Sequence, residues 1–200
     1  YAEKSGADGL LVVTPYYNKP TQEGLYQHYK KINDNVGIPI IIYNIPSRSV
    51  IDMTVDTMSR LFELKNIVGV KDATGNLNRV DEQLKTMGKD FIQLTGEDNN
   101  AFEFNQRGGV GCISVTANVA AKLCAEFQIA TKKDAEKAKN INNILTPLHK
   151  ALFIESNPSP VKYAASLLGL SSEEVRLPLV SLMDKTKKEV EKALKVTKLL

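Results

Sequence analysis

Five short apolar runs, separated by amphipathic stretches, constrain the fold of this 200-residue chain more than any other feature. Each run is nearly continuous rather than alternating, which is typical of strands buried on both faces of a parallel sheet. Successive runs are spaced by about 20–30 residues, the size of a βα unit. We predict strands at residues 9–13, 38–43, 67–71, 91–96 and 110–115, and helices at residues 21–33, 54–64, 76–87, 99–107 and 118–130.

The pattern changes after the fifth run, where residues 134–155, 158–168 and 186–199 read as three helices without strands between them. Repeated βα alternation closes either as a doubly wound open sheet or as a (β/α)₈ barrel. Unusual residues follow all five strands, and sites built from several strand ends favour the barrel. We therefore predict an α/β protein, a TIM (β/α)₈ barrel, with its C-terminal portion at residues 1–132 and a helical domain at residues 133–200.

Composition excludes several functional classes. The 26 basic and 23 acidic side chains are interspersed and give a net charge of +3, so no basic stripe indicates nucleic acid binding. No apolar run approaches the roughly 18 residues of a membrane span. Cys112 and Cys124 predict neither a disulfide framework nor a metal site, which is consistent with a reducing cytoplasm. His28 and His149 are far apart, so neither a zinc site nor a Ser-His-Asp triad is expected.

Lys71, at the end of the third predicted strand, is the first candidate for chemistry. Burial disfavours an ammonium ion, and a neutral lysine amine attacks a carbonyl carbon to form a Schiff base. Two structural alternatives remain open, because a strand-end lysine also extends its ammonium to solvent or pairs with a neighbour such as Asp72.

Tyrosines and an arginine follow the first two predicted strands. Tyr16, Tyr17 and Tyr43 could relay protons in Schiff-base chemistry, although tyrosines also pack at barrel rims with wet hydroxyls. Arg48 lies in the loop after Tyr43, where a guanidinium suits an acidic substrate, and a solvated loop arginine is the alternative.

Taken together, these residues resemble the pyruvate-dependent class I aldolases, a family that comprises the dihydrodipicolinate synthases and the N-acetylneuraminate lyases. The resemblance covers almost the whole chain and rests on five ordered motifs: residues 13–20 (VTPYYNKP), 43–48 (YNIPSR), 69–75 (GVKDATG), 111–118 (GCISVTAN) and 157–162 (NPSPVK). It implies a lyase that forms a Schiff base between pyruvate and Lys71. The arginine of the second motif, with Asn18-Lys19-Pro20, favours the synthase branch, which condenses the enamine with aspartate semialdehyde on the way to lysine and diaminopimelate.

The resemblance also implies roles for individual residues. Tyr43 would relay protons and position the pyruvate carboxylate, and Tyr17 would complete the relay in the site of a neighbouring subunit. Arg48 would hold the semialdehyde carboxylate. Gly96 and Ile113 would line the pyruvate pocket. Tyr16 would pack at a tight dimer interface.

The family's implied partners are pyruvate, aspartate semialdehyde and further copies of the chain, as a dimer or a dimer of dimers, with no cofactor. One family segment, Gly-Thr-Thr-Gly-Glu, has no counterpart here, and a barrel of about 250 residues has eight units. We therefore expect this chain to hold about the last five units, with the N-terminal part preceding it. Two other hypotheses stay open: an N-acetylneuraminate or 2-keto-3-deoxy-sugar-acid aldolase, and a truncated non-catalytic chain.

Overall fold

Five parallel strands form one sheet in the same order in which they follow along the chain. A doubly wound sheet instead reverses its strand order at a switch point, whereas a barrel adds each new strand beside the last. The predicted α/β class with a parallel sheet is confirmed, and the strand order fits the barrel alternative. The strands are β1 (Leu10–Val13), β2 (Ile40–Asn44), β3 (Ile67–Asp72), β4 (Ile92–Thr95) and β5 (Gly111–Cys112).

The computed structural model describes residues 1–200, which divide into two units at residues 113 and 114. The first unit contains the sheet and five helices: α1 (Gln22–Asn33), α2 (Pro46–Ser49), α3 (Val55–Phe62), α4 (Asn78–Met87) and α5 (Ala101–Gln106). The second contains four: α6 (Ala121–Lys133), α7 (Ala135–Ala151), α8 (Ser159–Leu167) and α9 (Asp184–Val196). Short 3₁₀ turns lie at Glu3–Ser5, Asp98–Asn100 and Thr116–Asn118. No helix has both the length and the apolar character that a membrane crossing needs.

The predicted helices all occur, and local capping explains where several begin. Thr54 caps α3 because its hydroxyl accepts a hydrogen bond from the Thr57 amide at 3.2 Å, as its sequence position predicts. Asp134 caps α7 in the same way through the Lys137 amide at 2.9 Å. The predicted boundary between residues 132 and 133 stays a prediction. The two compact units meet at residues 113 and 114, but a compact unit need not coincide with a whole number of βα units.

Helices α1 and α3 cover one face of the sheet and enclose its core. Tyr29 of α1 is fully buried there, and its hydroxyl donates a 2.7 Å hydrogen bond to the Val12 carbonyl oxygen of β1. Because a buried polar group without a partner is costly, this bond lets the phenol sit inside the core. The other fully buried side chains of this cluster are Leu25, Ile40, Ile42, Met53, Met58, Leu61 and Val70.

The opposite face of the sheet, which we call the open face, is not covered by these helices. In β1, Leu11 and Val13 are 47% and 40% exposed, while Leu10 and Val12 pack against the core cluster. Side chains alternate between the two faces of a strand, and only one face of β1 meets the helices. The continuous apolar run therefore reflects two different environments.

One extra residue in β3 changes the pairing of β2 with β3. Ile40 pairs with Ile67, but the next residue, Ile41, pairs with Gly69, so Val68 has no partner of its own in the register. A bulge of this kind reverses the alternation of all residues beyond it. A glycine is required at its edge, because a Cβ on residue 69 would overlap the backbone carbonyl of Ile92 in β4.

Candidate active site

The bulge brings Lys71 and Tyr43 to the same row of the sheet. Beyond it, Tyr43 pairs with Lys71, and the row continues to Val13 on one side and Leu94 on the other. Both side chains lie on the open face, where the Lys71 Nζ is 3.9 Å from the centroid of the Tyr43 ring. The two residues that the sequence placed first are thus neighbours at the carboxyl ends of adjacent strands.

The ring face of Tyr43 attracts the Lys71 ammonium through a cation–π interaction. This contact holds the amine against the phenol ring. Only a neutral amine attacks a carbonyl carbon, so the reaction needs a group that takes up a proton from the ammonium. A phenol beside the amine can move that proton without introducing a buried charge.

The alternative that Lys71 pairs with Asp72 is wrong. Consecutive strand residues point to opposite faces, and Asp72 is buried on the helix side, with 4% of its surface exposed. Its carboxylate accepts hydrogen bonds from Arg79 Nε at 3.2 Å and from the Thr74 hydroxyl and amide at 2.6 Å and 2.9 Å. The salt bridges of the structure do not include Lys71.

Gly96, after β4, lies against the lysine side chain. A Cβ on residue 96 would be 3.0 Å from Lys71 Cε and 2.9 Å from the Ala73 Cβ. The Gly96 amide also donates a 2.7 Å hydrogen bond to the Asp72 carbonyl oxygen. Because this close approach leaves no room for a side chain, the glycine allows the lysine to stand beside the β4 strand end.

Arg48, Tyr16 and Tyr43 line one cavity of about 410 Å³ on the open face. Arg48 lies in α2, which follows directly from the loop after β2, and its side chain is exposed. The remaining lining residues are Leu11, Val13, Ile45 and Ser49. The cavity therefore combines a mostly apolar wall with two phenols, one of them that of Tyr43 beside Lys71, and one guanidinium, which suits a small acidic ligand.

Four predicted site residues are not among those that line this cavity: Lys71, Gly96, Tyr17 and Ile113. Tyr17 is 88% exposed and has a positive φ of 67°, in the turn after β1. Ile113 follows β5, where its amide donates a 2.9 Å hydrogen bond to the Thr95 carbonyl oxygen. Ile113 therefore stands at a strand end beside β4, and the roles predicted for Tyr17 and Ile113 stay predictions.

Sequence reasoning missed a group of polar residues on the helix side of the sheet. Arg79 of α4 is only 8% exposed and bonds to both Asp72 and Asp52. Asn44 donates from Nδ2 to Asp52 Oδ1 at 2.7 Å. The available signal was that Asn44 and Asp72, two polar residues, directly follow the strand-end candidates Tyr43 and Lys71.

Glu97 is a half-buried carboxyl group after Gly96. Burial raises the pKa of this carboxyl, and the negative charge of Asp72 raises it further. Its carboxylate approaches Gly75, where a Cβ would be 3.5 Å from Glu97 Oε2. The acid therefore sits against the loop that follows β3, and removal of its charge should favour the folded state.

The second unit contains a cavity of about 390 Å³ of its own, lined in part by the motif at residues 157–162. His149 of α7 is buried in the same unit, where its Nδ1 lies 2.7 Å from the Thr116 hydroxyl. This hydrogen bond gives the buried imidazole a partner within the unit. In the whole chain, no group of three or more His, Cys, Asp or Glu side chains could hold a metal ion.

A lysine amine held against a phenol, at the carboxyl ends of parallel strands in sequential order, provides what a Schiff-base enzyme of barrel type needs. The sequence profile of the dihydrodipicolinate synthetase family matches residues 1–197, and the chain belongs to that family. The family predicted from the five motifs is thereby confirmed.

Named relatives agree with the predicted function. A protein of Pelagibacter ubique named 4-hydroxy-tetrahydrodipicolinate synthase is 68% identical, and the match covers 100% of this chain and 70% of the relative. Dihydrodipicolinate synthase from Aquifex aeolicus matches with a TM-score of 0.96 at 44% identity, over 99% of this chain and 68% of that one. The Acinetobacter baumannii enzyme, crystallised with pyruvate, gives a TM-score of 0.96 at 45% identity, over 100% and 69%. The chain thus spans about two thirds of the length of its relatives.

Proposed function

We propose that the protein carrying this chain is a lyase that condenses pyruvate with aspartate 4-semialdehyde to give 4-hydroxy-tetrahydrodipicolinate, in lysine and diaminopimelate biosynthesis. The observation that carries the proposal is the position of Lys71 Nζ, 3.9 Å from the centroid of the Tyr43 ring. The choice of substrates is supported by the 68% identity between this chain and the Pelagibacter ubique protein named 4-hydroxy-tetrahydrodipicolinate synthase.

Lys71 is the nucleophile of the proposed reaction. Its neutral amine adds to the keto carbon of pyruvate, and loss of water from the carbinolamine leaves an imine. Removal of a methyl proton converts the imine to an enamine, whose terminal carbon forms the new bond to the aldehyde carbon of the second substrate, while the aldehyde oxygen takes up a proton and the imine is restored. The amino group of the second substrate then adds to the imine carbon, which closes the ring and releases the Lys71 amine. Tyr43 moves protons at these steps, and Tyr17 of a neighbouring subunit completes the relay.

The remaining predicted residues bind substrate or another subunit. Arg48, in the wall of the open-face cavity, holds the carboxylate of the semialdehyde through a bidentate fork. Gly96 and Ile113 line the pyruvate pocket. Tyr16 packs at a dimer interface, and its 69% exposure leaves most of the ring available for such a contact.

The proposed architecture is a barrel in which β1–β5 are the last five strands, with residues 1–132 forming this portion and residues 133–200 forming a helical domain. The sequential order of five parallel strands supports it. We further propose a cytoplasmic homo-oligomer, built from tight dimers and assembled as a tetramer. The exposed rings of Tyr16 and Tyr17, in the turn after β1, support an association surface.

Trapping of the imine tests the proposal directly. The protein carrying this chain is incubated with pyruvate and borohydride and then digested, and mass spectrometry locates the reduced adduct. We expect one pyruvyl group on Lys71, none in a Lys71→Arg variant, and unchanged labelling in the matched control Lys65→Arg, since Lys65 lies in the exposed turn before β3. Labelling at another lysine, or no labelling, would refute the proposal.

Substrate choice is tested separately. Product formation from pyruvate and aspartate semialdehyde is compared with cleavage of N-acetylneuraminate and of 2-keto-3-deoxy-sugar acids. Because Arg48 is suited to a carboxylate-bearing aldehyde, we expect turnover only with the semialdehyde. Efficient cleavage of a sugar acid would assign the chain to the other activity of the same Schiff-base chemistry.

A further inference from the structure

One guanidinium behind the sheet joins two parts of the chain that are distant in sequence. Arg79 donates from Nε to Asp72 Oδ2 at 3.2 Å, and from Nη1 to Asp52 Oδ2 at 3.1 Å. Its Nη2 donates to the Met53 carbonyl oxygen at 2.6 Å. All three nitrogens of the planar group therefore have an acceptor, a geometry that a lysine ammonium cannot reproduce.

Asn44 extends this network to a third part of the chain. Its Nδ2 donates to Asp52 Oδ1 at 2.7 Å, and its Oδ1 accepts from the Met53 amide at 3.1 Å. Asn44 and Asp72 are register partners at the ends of β2 and β3. Arg79 therefore links these two strand ends, directly at Asp72 and through Asp52 at Asn44.

Each joined segment carries one of the proposed functional residues. Asn44 directly follows Tyr43, and Asp72 directly follows Lys71. Asp52 closes the loop that begins with α2, the helix of Arg48. The network lies on the helix side of the sheet, while the Tyr43–Lys71 contact lies on the open face. Their spacing on one side is therefore set by hydrogen bonds on the other.

We propose that Arg79 is a positioning residue for the reaction proposed above: it holds, from behind the sheet, the three segments that carry Tyr43, Arg48 and Lys71. The inference rests on the proposed function, because it concerns the geometry of the same site. Arg79 touches no substrate. It acts because the bonds of its three guanidinium nitrogens to Asp72, Asp52 and Met53 restrict the arrangement of the strand ends, and reaction rates depend steeply on that arrangement.

Two variants test the proposal. In Asp52→Asn, the amide has one oxygen and one NH₂ group, so either Asn44 or Arg79 loses its acceptor. The Asp52 side chain is half exposed, so this variant should fold. In Arg79→Lys, the charge beside Asp72 remains but the fork is lost. For each we expect kcat and the rate of borohydride trapping at Lys71 to fall by up to about a hundredfold, with a rise in KM for the semialdehyde that exceeds the rise for pyruvate.

Arg107→Met is the matched control. Arg107 forms an exposed salt bridge to Asp81, which belongs to α4 as Arg79 does. It should leave kcat, both KM values and trapping unchanged. The double variant of Asp52 and Arg79 should match the slower single variant to within about twofold, since both disrupt one network.

Three outcomes would overturn the positioning role. In the first, Asp52→Asn and Arg79→Lys have the same kcat, KM values and trapping rate as the unsubstituted protein. Another is a lower melting temperature with unchanged kcat per folded molecule, which would mark a purely structural network. The last is equal loss in Arg107→Met. If the unsubstituted protein itself fails to trap pyruvate at Lys71, the proposed function is wrong and the positioning role falls with it.

Discussion

Gly96 lies so close to Lys71 that a single methyl group should displace the lysine. The Cβ of an alanine at residue 96 would be 3.0 Å from Lys71 Cε and 2.9 Å from the Ala73 Cβ. Carbon atoms in good contact are about 3.5–4.0 Å apart, so the neighbours must give way by about 0.5–1 Å. Ala73 is buried and its amide is bonded to the Asn44 carbonyl oxygen, whereas the lysine side chain is flexible. The lysine therefore moves.

A displacement of this size predicts slow imine formation in Gly96→Ala. Misplacement of a reacting group by about 1 Å costs about a hundredfold in rate, which corresponds to about 2.7 kcal/mol of activation free energy. Overpacking should lower the free energy of unfolding by about 1–3 kcal/mol, which thermal or urea denaturation measures. The assay is the rate of borohydride trapping of pyruvate at Lys71 in the folded variant.

Gly9→Ala is the control for the chemical change itself, because its Cβ meets only the Pro39 carbonyl oxygen, at 3.4 Å. That variant should trap pyruvate at the unsubstituted rate. Trapping in Gly96→Ala as fast as in Gly9→Ala would show that the close contact does not position the amine, and the reasoning would fail.

Two further predictions concern Tyr43 and Glu97. Tyr43→Phe keeps the ring face under the lysine and removes the hydroxyl, so kcat should fall by about 10²–10⁴ with little change in KM. Tyr43→Leu removes both and should slow trapping further, and equal kinetics in the two variants would show that the ring face has no role. The pKa of Glu97 is raised in the folded state, so ionisation of this carboxyl disfavours folding. Its contribution therefore lowers the free energy of unfolding as the pH rises above the ordinary pKa of 4.5. Glu97→Gln should therefore raise the melting temperature at pH 7 and change it little below the ordinary pKa, and a lower melting temperature at pH 7 would contradict this sign.

The strands were predictable because their residues are apolar, but their lengths depend on pairing. Of the predicted residues 110–115, only Gly111–Cys112 form a strand, because their register pairs them with the last two residues of β4, Leu94 and Thr95. Backbone bonds still extend from the Val110 amide to the Ile113 amide. Helix α2 was not predicted, because its four residues are too few to show a helical period.

Part of the candidate site could be predicted from the sequence, and part of it could not. The proximity of Tyr43 and Lys71 follows from their strand ends, which meet at one edge of a parallel sheet. The partners of Arg79 could not be read from spacing, because Asp52 reaches it from the loop after α2 and Asp72 from the end of β3. Local pattern predicts which residues stand at strand ends, whereas the bonds between loops depend on the folded chain.

Because Val68 is unpaired, the pairing of β3 with β2 decides on which face of the sheet Lys71 lies. Ile67 and Lys71 are four residues apart and would share a face in an unbroken strand, yet they lie on opposite faces here. Deletion of Val68 would leave the pairings of Ile40 with Ile67 and of Tyr43 with Lys71 unchanged, so the lysine would stay on the open face. One extra residue between Gly69 and Lys71 would instead turn the lysine into the helix-covered core. A strand grafted onto a different barrel must therefore either keep Val68 unpaired or omit it, because a paired Val68 would place the amine on the helix side of the sheet.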